Sequence, residues 1–127
     1  MNDFIQQAQT IHKKFVQERD WEQFHTPKNL TMALSVEVSE LMENFQWVSD
    51  SQASHISTPE TQQNIKEEIA DIFCYLVRLA DVLDINIQEA FMEKMELNRK
   101  KYPIELAKGR MTKYTRLTQD SASFEIN

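Results

Sequence analysis

Two pairs of acids stand at helical spacing in this chain, Glu37 with Glu40 and Glu68 with Asp71. Residues three apart on an α-helix share one side, with Cβ atoms about 5–6 Å apart. At about 100° per residue, Glu37 falls on the edge of an apolar arc centred near Leu34 and Leu41, with Asn44 and Glu40 farther round. Glu68, Tyr75 and Asp71 take the same places beside an arc centred near Leu76 and Leu83. Packed along those faces, the two helices would bring four carboxylates together. Four like charges, partly removed from water, raise one another's pKa and destabilise the fold unless a cation joins them. An all-oxygen set selects hard divalent ions, Mg²⁺ first, with Mn²⁺ as a substitute. Either pair alone is as well read as solvated surface, because Glu-x-x-Glu is common in helices. A ferritin-like di-iron centre needs two Glu-x-x-His helices. Here Glu22-x-x-His25 occurs once, just before Pro27, and neither acidic pair has a partner histidine.

Helices must carry these residues, and periodicity with capping places four. The first spans about 3 to 19, with Phe4, Ile5, Ala8, Ile11, Phe15 and Val16 on one face. Thr26 as N-cap and Pro27 at the first position open the second, which is expected to end near Trp47. A polar loop is expected over Val48–Ser57. Thr58-Pro59 repeats the cap-then-proline start for a third helix reaching about Leu83. Asn86 with Glu89 resembles a capping box for a fourth, ending before Tyr102-Pro103. A short helical turn closed by Gly109 is expected next. The organisation is one helical domain over 1–117 and a frayed tail over 118–127.

The totals agree with an all-α chain. Glycine occurs once in 127 residues and proline three times, which leaves too few turn residues for a sandwich or barrel. A P-loop and a GxGxxG turn need several glycines and are excluded. One cysteine, Cys74, excludes an internal disulfide and a zinc cluster, and it is read as a buried or interface thiol. No apolar run approaches the ~20 residues of a membrane span. The opening MNDFIQQAQTIHKKF holds no signal-peptide core, so a cytoplasmic location is expected. Net charge is −6, which argues against a nucleic-acid partner. Between Lys94 and Arg116, however, eight cations face only Glu96 and Glu105. That stretch carries +6 and the remainder −12, the pattern of a local anion site or of a solvated helix surface.

Taken in order, these segments resemble the all-α nucleoside triphosphate pyrophosphohydrolases, the MazG-like superfamily, and within it the dCTP pyrophosphatase branch. The resemblance rests on Glu37-x-x-Glu40, a 27-residue gap and Glu68-x-x-Asp71. It rests also on Asp20-Trp21-Glu22-Gln23-Phe24-His25, Phe45-Gln46-Trp47, Tyr75-Leu76-Val77, Asn98-Arg99-x-x-Tyr102-Pro103 and Lys113-Tyr114-Thr115, covering about residues 8 to 117. Val36 departs from the Glu-Glu pair that other branches carry at the first ligand.

The resemblance implies four-helix-bundle protomers that form homo-oligomers, a tetramer before a dimer. It also implies a reaction cutting between the α- and β-phosphates to give a monophosphate and pyrophosphate. By position, Glu37, Glu40, Glu68 and Asp71 would be the catalytic Mg²⁺ ligands. His12, Trp21, Trp47 and Tyr75 would enclose the base and sugar, and Asn98 would contact substrate. In those roles the residues make chemical sense: metals screen a triphosphate and activate water, and any of the four carboxylates, Glu40 among them, could take the water's proton. Arg99, Lys101, Lys108, Arg110 and Lys113 are the candidates for gripping phosphate. His25 and His55 are read as structural. The expected function is hydrolysis of a pyrimidine deoxynucleoside triphosphate, dCTP or a modified dCTP, in nucleotide-pool cleansing. Broader or dUTP preference, and a non-catalytic helical oligomerisation module, are the alternatives.

Overall fold

A computed structural model describes residues 3–49, 51 and 58–117, and among these there is no strand. Helix α1 spans Phe4–Glu18, a 3₁₀ turn Glu22–Phe24, α2 Pro27–Glu43, α3 Pro59–Val82, α4 Ile87–Lys101 and α5 Ile104–Ala107, and residues 114–117 are again helical. The starts are set by side chains. Asp3 Oδ1 accepts from Ile5 N at 3.0 Å, Thr26 Oγ1 from Asn29 N at 3.2 Å, and Thr58 Oγ1 from Thr61 N at 3.2 Å. Each satisfies an amide that the first helical turn leaves without a partner. Of the loop expected over Val48–Ser57, only residues 48, 49 and 51 are described. His55 and the tail expected over 118–127 lie outside the described residues.

The ends explain how a chain with one glycine stops its helices. After α1, Trp21 N donates to Val16 O at 3.0 Å and Asp20 N to Gln17 O at 3.1 Å. After α3, Ile85 N donates to Ala80 O at 2.8 Å and Asp84 N to Asp81 O at 3.2 Å. Both are Schellman closures, and their left-handed residues are Asp20 and Asp84, each at φ 55°. Gly109, at φ 75°, serves only the short α5.

The chain divides into two compact units, Met1–Ile87 and Gln88–Asn127. In the first, α3 is the central element: α2 packs along it most extensively and α1 packs against it as well. Among the described residues of this unit, Val16, Leu30, Val77 and Ala80 are the buried apolar ones. The wheel places the apolar centre of α3 at Leu76 and Leu83, but these remain 45% and 47% exposed. The buried face is turned about 100°, onto Val77, Arg78 and Ala80, because α3 receives neighbours on two sides. The second unit holds α4, α5 and the helical residues at 114–117.

Candidate active site

The interface of α2 with α3 gathers carboxylates. Glu37, Glu40 and Glu68 each offer a carboxylate oxygen, and these oxygens lie within 4.8 Å of one another. Glu37 Oε2 and Glu68 Oε2 are buried and accept no hydrogen bond. Such acceptors are costly to leave unpaired. Burial first, then the neighbouring carboxylates of Glu68, Glu40 and Asp71, raise the Glu37 pKa to about 7. Asp71 stands outside the closest trio, yet its charge is felt at Glu37, Cys74 and Tyr75. The Tyr75 hydroxyl is pushed up by burial first, then by the charges of Glu37 and Asp71. Hard oxygen donors, orphaned lone pairs and mutual repulsion fit a divalent cation site.

On the other side of α3, α1 leaves a cavity of about 600 Å³. Phe4 stacks on Phe73 at 5.7 Å between ring centres and lies in its wall. His12, Phe15, Trp21, His25, Asp71 and Tyr75 contribute further to that wall. Trp21 packs edge-on to Phe15 at 5.7 Å, and the Arg19 guanidinium covers the Phe15 ring at 3.7 Å. The Schellman closure at Asp20 turns the chain so that Trp21 reaches this wall. A concave, aromatic pocket with few polar groups suits a flat ring ligand. Asp71 and Tyr75 tie the two features together: both line the cavity, and both are coupled electrostatically to Glu37.

Of the residues read from sequence, the structure brings together Glu37, Glu40 and Glu68 as one group, and His12, Trp21, Tyr75 and Asp71 as cavity wall. Trp47 is not in that wall and is 88% exposed. The helix expected to end near Trp47 stops at Glu43, and residues 44–47 form turns. Asn98, Arg99, Lys101, Lys108, Arg110 and Lys113 all belong to the second unit. There Arg99 pairs with Glu96 at 2.7 Å, and Lys101 lies over the Tyr114 ring at 4.9 Å. Asn98 O accepts from Tyr102 N at 2.9 Å. Lys108 caps α5.

Two residues of the cavity region escape sequence reasoning. His25, read as structural, lines the cavity and stacks on His12 at 6.4 Å. Arg78 is 7% exposed and donates from Nε to His25 Nδ1 at 3.2 Å. Its only sequence signal is an arginine inside the apolar run from Ile72 to Ala80.

Comparison with known proteins agrees with the resemblance. The MazG-like family profile matches residues 32–117. The dCTP pyrophosphatase 1 of Mus musculus is 40% identical over 120 residues, which is 94% of this chain and 71% of the mouse protein. That of Homo sapiens is 39% identical over 120 residues with the same coverage. Among solved structures, a pyrophosphatase from Archaeoglobus fulgidus matches with a TM-score of 0.75 at 40% identity, covering 81% of this chain and 95% of that one.

Proposed function

The chain belongs to the MazG-like family, and we propose that it is a Mg²⁺-dependent hydrolase of a pyrimidine deoxynucleoside triphosphate, dCTP or a modified dCTP first. The broader assignment, a nucleoside triphosphate pyrophosphohydrolase, rests on relatives of that activity at about 40% identity. One observation carries the metal-dependent reading. Two buried, unpaired carboxylate oxygens, one from α2 and one from α3, belong to a three-glutamate group.

In this reading Glu37, Glu40, Glu68 and Asp71 hold the cation, with Mn²⁺ as a substitute. When bound, divalent metal supplies charge screening for the triphosphate and an activated water. A bound cation would favour the ionised form of Glu37, whose pKa the metal-free site raises to about 7. A carboxylate of the group, Glu40 among the candidates, accepts the water's proton. His12, Trp21 and Tyr75 enclose base and sugar, and Asp71 links that enclosure to the carboxylates. Trp47 is retained as a stacking residue on the resemblance alone, and Asn98 likewise as a substrate contact. Arg99, Lys101, Lys108, Arg110 and Lys113 are proposed to grip phosphate.

A cytoplasmic homo-oligomer, a tetramer before a dimer, completes the proposal. Exposed Ile11 on α1 and exposed Met32, Val36 and Met42 on α2 support burial against another copy. No helix among the described residues is long and apolar enough to cross a membrane.

Incubating the protein with each deoxynucleoside triphosphate and Mg²⁺ should yield monophosphate and pyrophosphate, fastest from dCTP. Fastest turnover of dUTP, or equal turnover of all, would replace the substrate assignment. No turnover with Mg²⁺ or Mn²⁺ would return the chain to a non-catalytic helical module.

A further inference from the structure

Arg78 is a buried cation at the junction of α3 with the residue that closes the 3₁₀ turn. Its NH1 meets Asp81 Oδ2 at 3.4 Å, and its Nε donates to His25 Nδ1 at 3.2 Å. Arginine has donors only, so the nitrogen it addresses must be the unprotonated one. A neutral imidazole then carries its proton on Nε2. Among the described residues, Nε2 makes no hydrogen bond, and the ring lines the cavity. The charged and titratable groups that act on His25 are Arg78 on α3, His12 on α1 and Glu22 in the 3₁₀ turn. Burial and Arg78 hold its pKa down, against a smaller opposing pull from Glu22. A second polar atom of the same wall is also unmatched: His12 Nδ1 is buried with no partner. Gln7, Asp71 and Tyr75 also line this mostly aromatic and apolar wall, and the two imidazoles add polar groups that a ring ligand could meet.

We propose that Arg78 locks His25 as a fixed Nε2–H donor, which makes His25 a specificity-determining residue that prefers cytosine over uracil, with Arg78 as its positioning residue. This rests on the substrate class proposed above. Cytosine presents two adjacent acceptors, O2 and N3, whereas uracil carries a proton on N3. An unconstrained imidazole could exchange tautomers and accept from that proton. One pinned by a permanent cation cannot, and a site built for one hydrogen-bond pattern penalises the other. Apolar enclosure by Trp21 and Tyr75 fixes the plane of a ring, while the locked nitrogen chooses its edge.

The test compares kcat/KM for dCTP and dUTP in wild type, His25→Phe and Arg78→Met, alongside ¹⁵N–¹H correlation spectra of the nucleotide-free protein. Wild type should favour dCTP. His25→Phe and Arg78→Met should each shrink that preference by roughly three- to ten-fold, the loss of one neutral hydrogen bond, and mainly through KM. The His25 imidazole should show Nε2 protonated and Nδ1 bare, and Arg78→Met should release that pattern. His25→Phe carries the kinetic test alone if removing the buried arginine prevents folding. An Nδ1–H tautomer in wild type overturns the proposal, and so does an unchanged ratio in folded His25→Phe. Equal use of dCTP and dUTP by wild type overturns it while leaving the pyrophosphohydrolase reading intact. Failure of wild type to hydrolyse any nucleotide removes both.

Discussion

Helix α3 presents two unlike surfaces within one compact unit. Towards α2 it carries Glu68 into a group of carboxylates that repel one another and hold two buried oxygens without partners. Towards α1 it lines a cavity whose aromatic rings already satisfy one another by stacking. The first surface is electrostatically incomplete, and its deficit has a sign: it lacks positive charge. The second is incomplete in shape, and its deficit is a volume. A metal–nucleotide complex supplies both at once, cation to one side and ring to the other. Asp71 and Tyr75, which belong to both surfaces, are where the two halves of such a ligand would meet.

Removing a carboxylate should break the comparison most severely. Glu68→Gln should lower turnover by at least ~100-fold, the scale on which a group acting in the transition state is missed. It should also abolish Mg²⁺ binding by calorimetry and raise the melting temperature of the metal-free protein as repulsion is relieved. Full activity in this variant would return the acids to surface charge. A ring deletion on the opposite side should be milder and different in kind. Trp21→Ala should weaken nucleotide binding by about 1–3 kcal/mol, read as a rise in KM, while Mg²⁺ affinity in the absence of nucleotide stays as in wild type. Trp47→Ala, at a residue outside the cavity wall, should change KM less than Trp21→Ala. The reverse order would assign base stacking to Trp47.

The two surfaces also differ in how far sequence reveals them. The carboxylate pairs are legible because helical spacing alone puts Glu37 beside Glu40 and Glu68 beside Asp71, and Thr26-Pro27 and Thr58-Pro59 mark the helices that carry them. The cavity is not legible in that way. Its wall joins residues from α1, the 3₁₀ turn and α3 whose contacts depend on packing, and no periodicity within one element encodes that. His25 reads as structural from sequence because its partner Arg78 is 53 positions away. Arg78 itself is hidden by averaging, since one cation in the apolar run Ile72–Ala80 hardly alters a wheel. The expected end of the second helix near Trp47 misses for a local reason: α2 stops at Glu43, about one turn sooner, and residues 44–47 turn instead.

A pH titration of stability sharpens the electrostatic half. The Glu37 carboxyl has a folded-state pKa raised from 4.5 to about 7. The folded state therefore holds the proton more tightly than the unfolded state does. Its stabilising contribution is fully present below about pH 4.5 and is lost progressively as pH rises through about 7. Metal-free protein should accordingly melt at a lower temperature at pH 8 than at pH 5.5. Mg²⁺ should recover stability chiefly at the higher pH, where the carboxylates are free to bind it. Glu37→Gln should flatten the slope. A Glu37→Gln protein with the wild-type slope would place the titration elsewhere.

The smallest effect belongs to the turn that delivers Trp21 to the cavity. Asp20 sits at φ 55°, a left-handed conformation that costs an ordinary L-residue about 1–2 kcal/mol and that glycine adopts freely. Aspartate tolerates the region better than most, so Asp20→Gly should stabilise the fold by only about 0.5–1 kcal/mol in denaturant unfolding. Greater chain entropy in the unfolded state limits the gain. Asp84, at the same φ after α3, should respond alike. The two sites differ in their downstream neighbours. Asp20→Gly precedes Trp21, and with the backbone bonds to Val16 and Gln17 retained the indole should stay in the wall and leave KM unchanged. If KM instead rises with stability, the Asp20 carboxylate is holding the segment beyond the turn. Gln23 Nε2, which donates to Asp20 O at 3.0 Å and Oδ2 at 3.2 Å, is the contact that would transmit it. Asp84→Gly, at a residue outside the cavity wall, then serves as the internal standard: the same backbone relief with no wall ring directly after the turn.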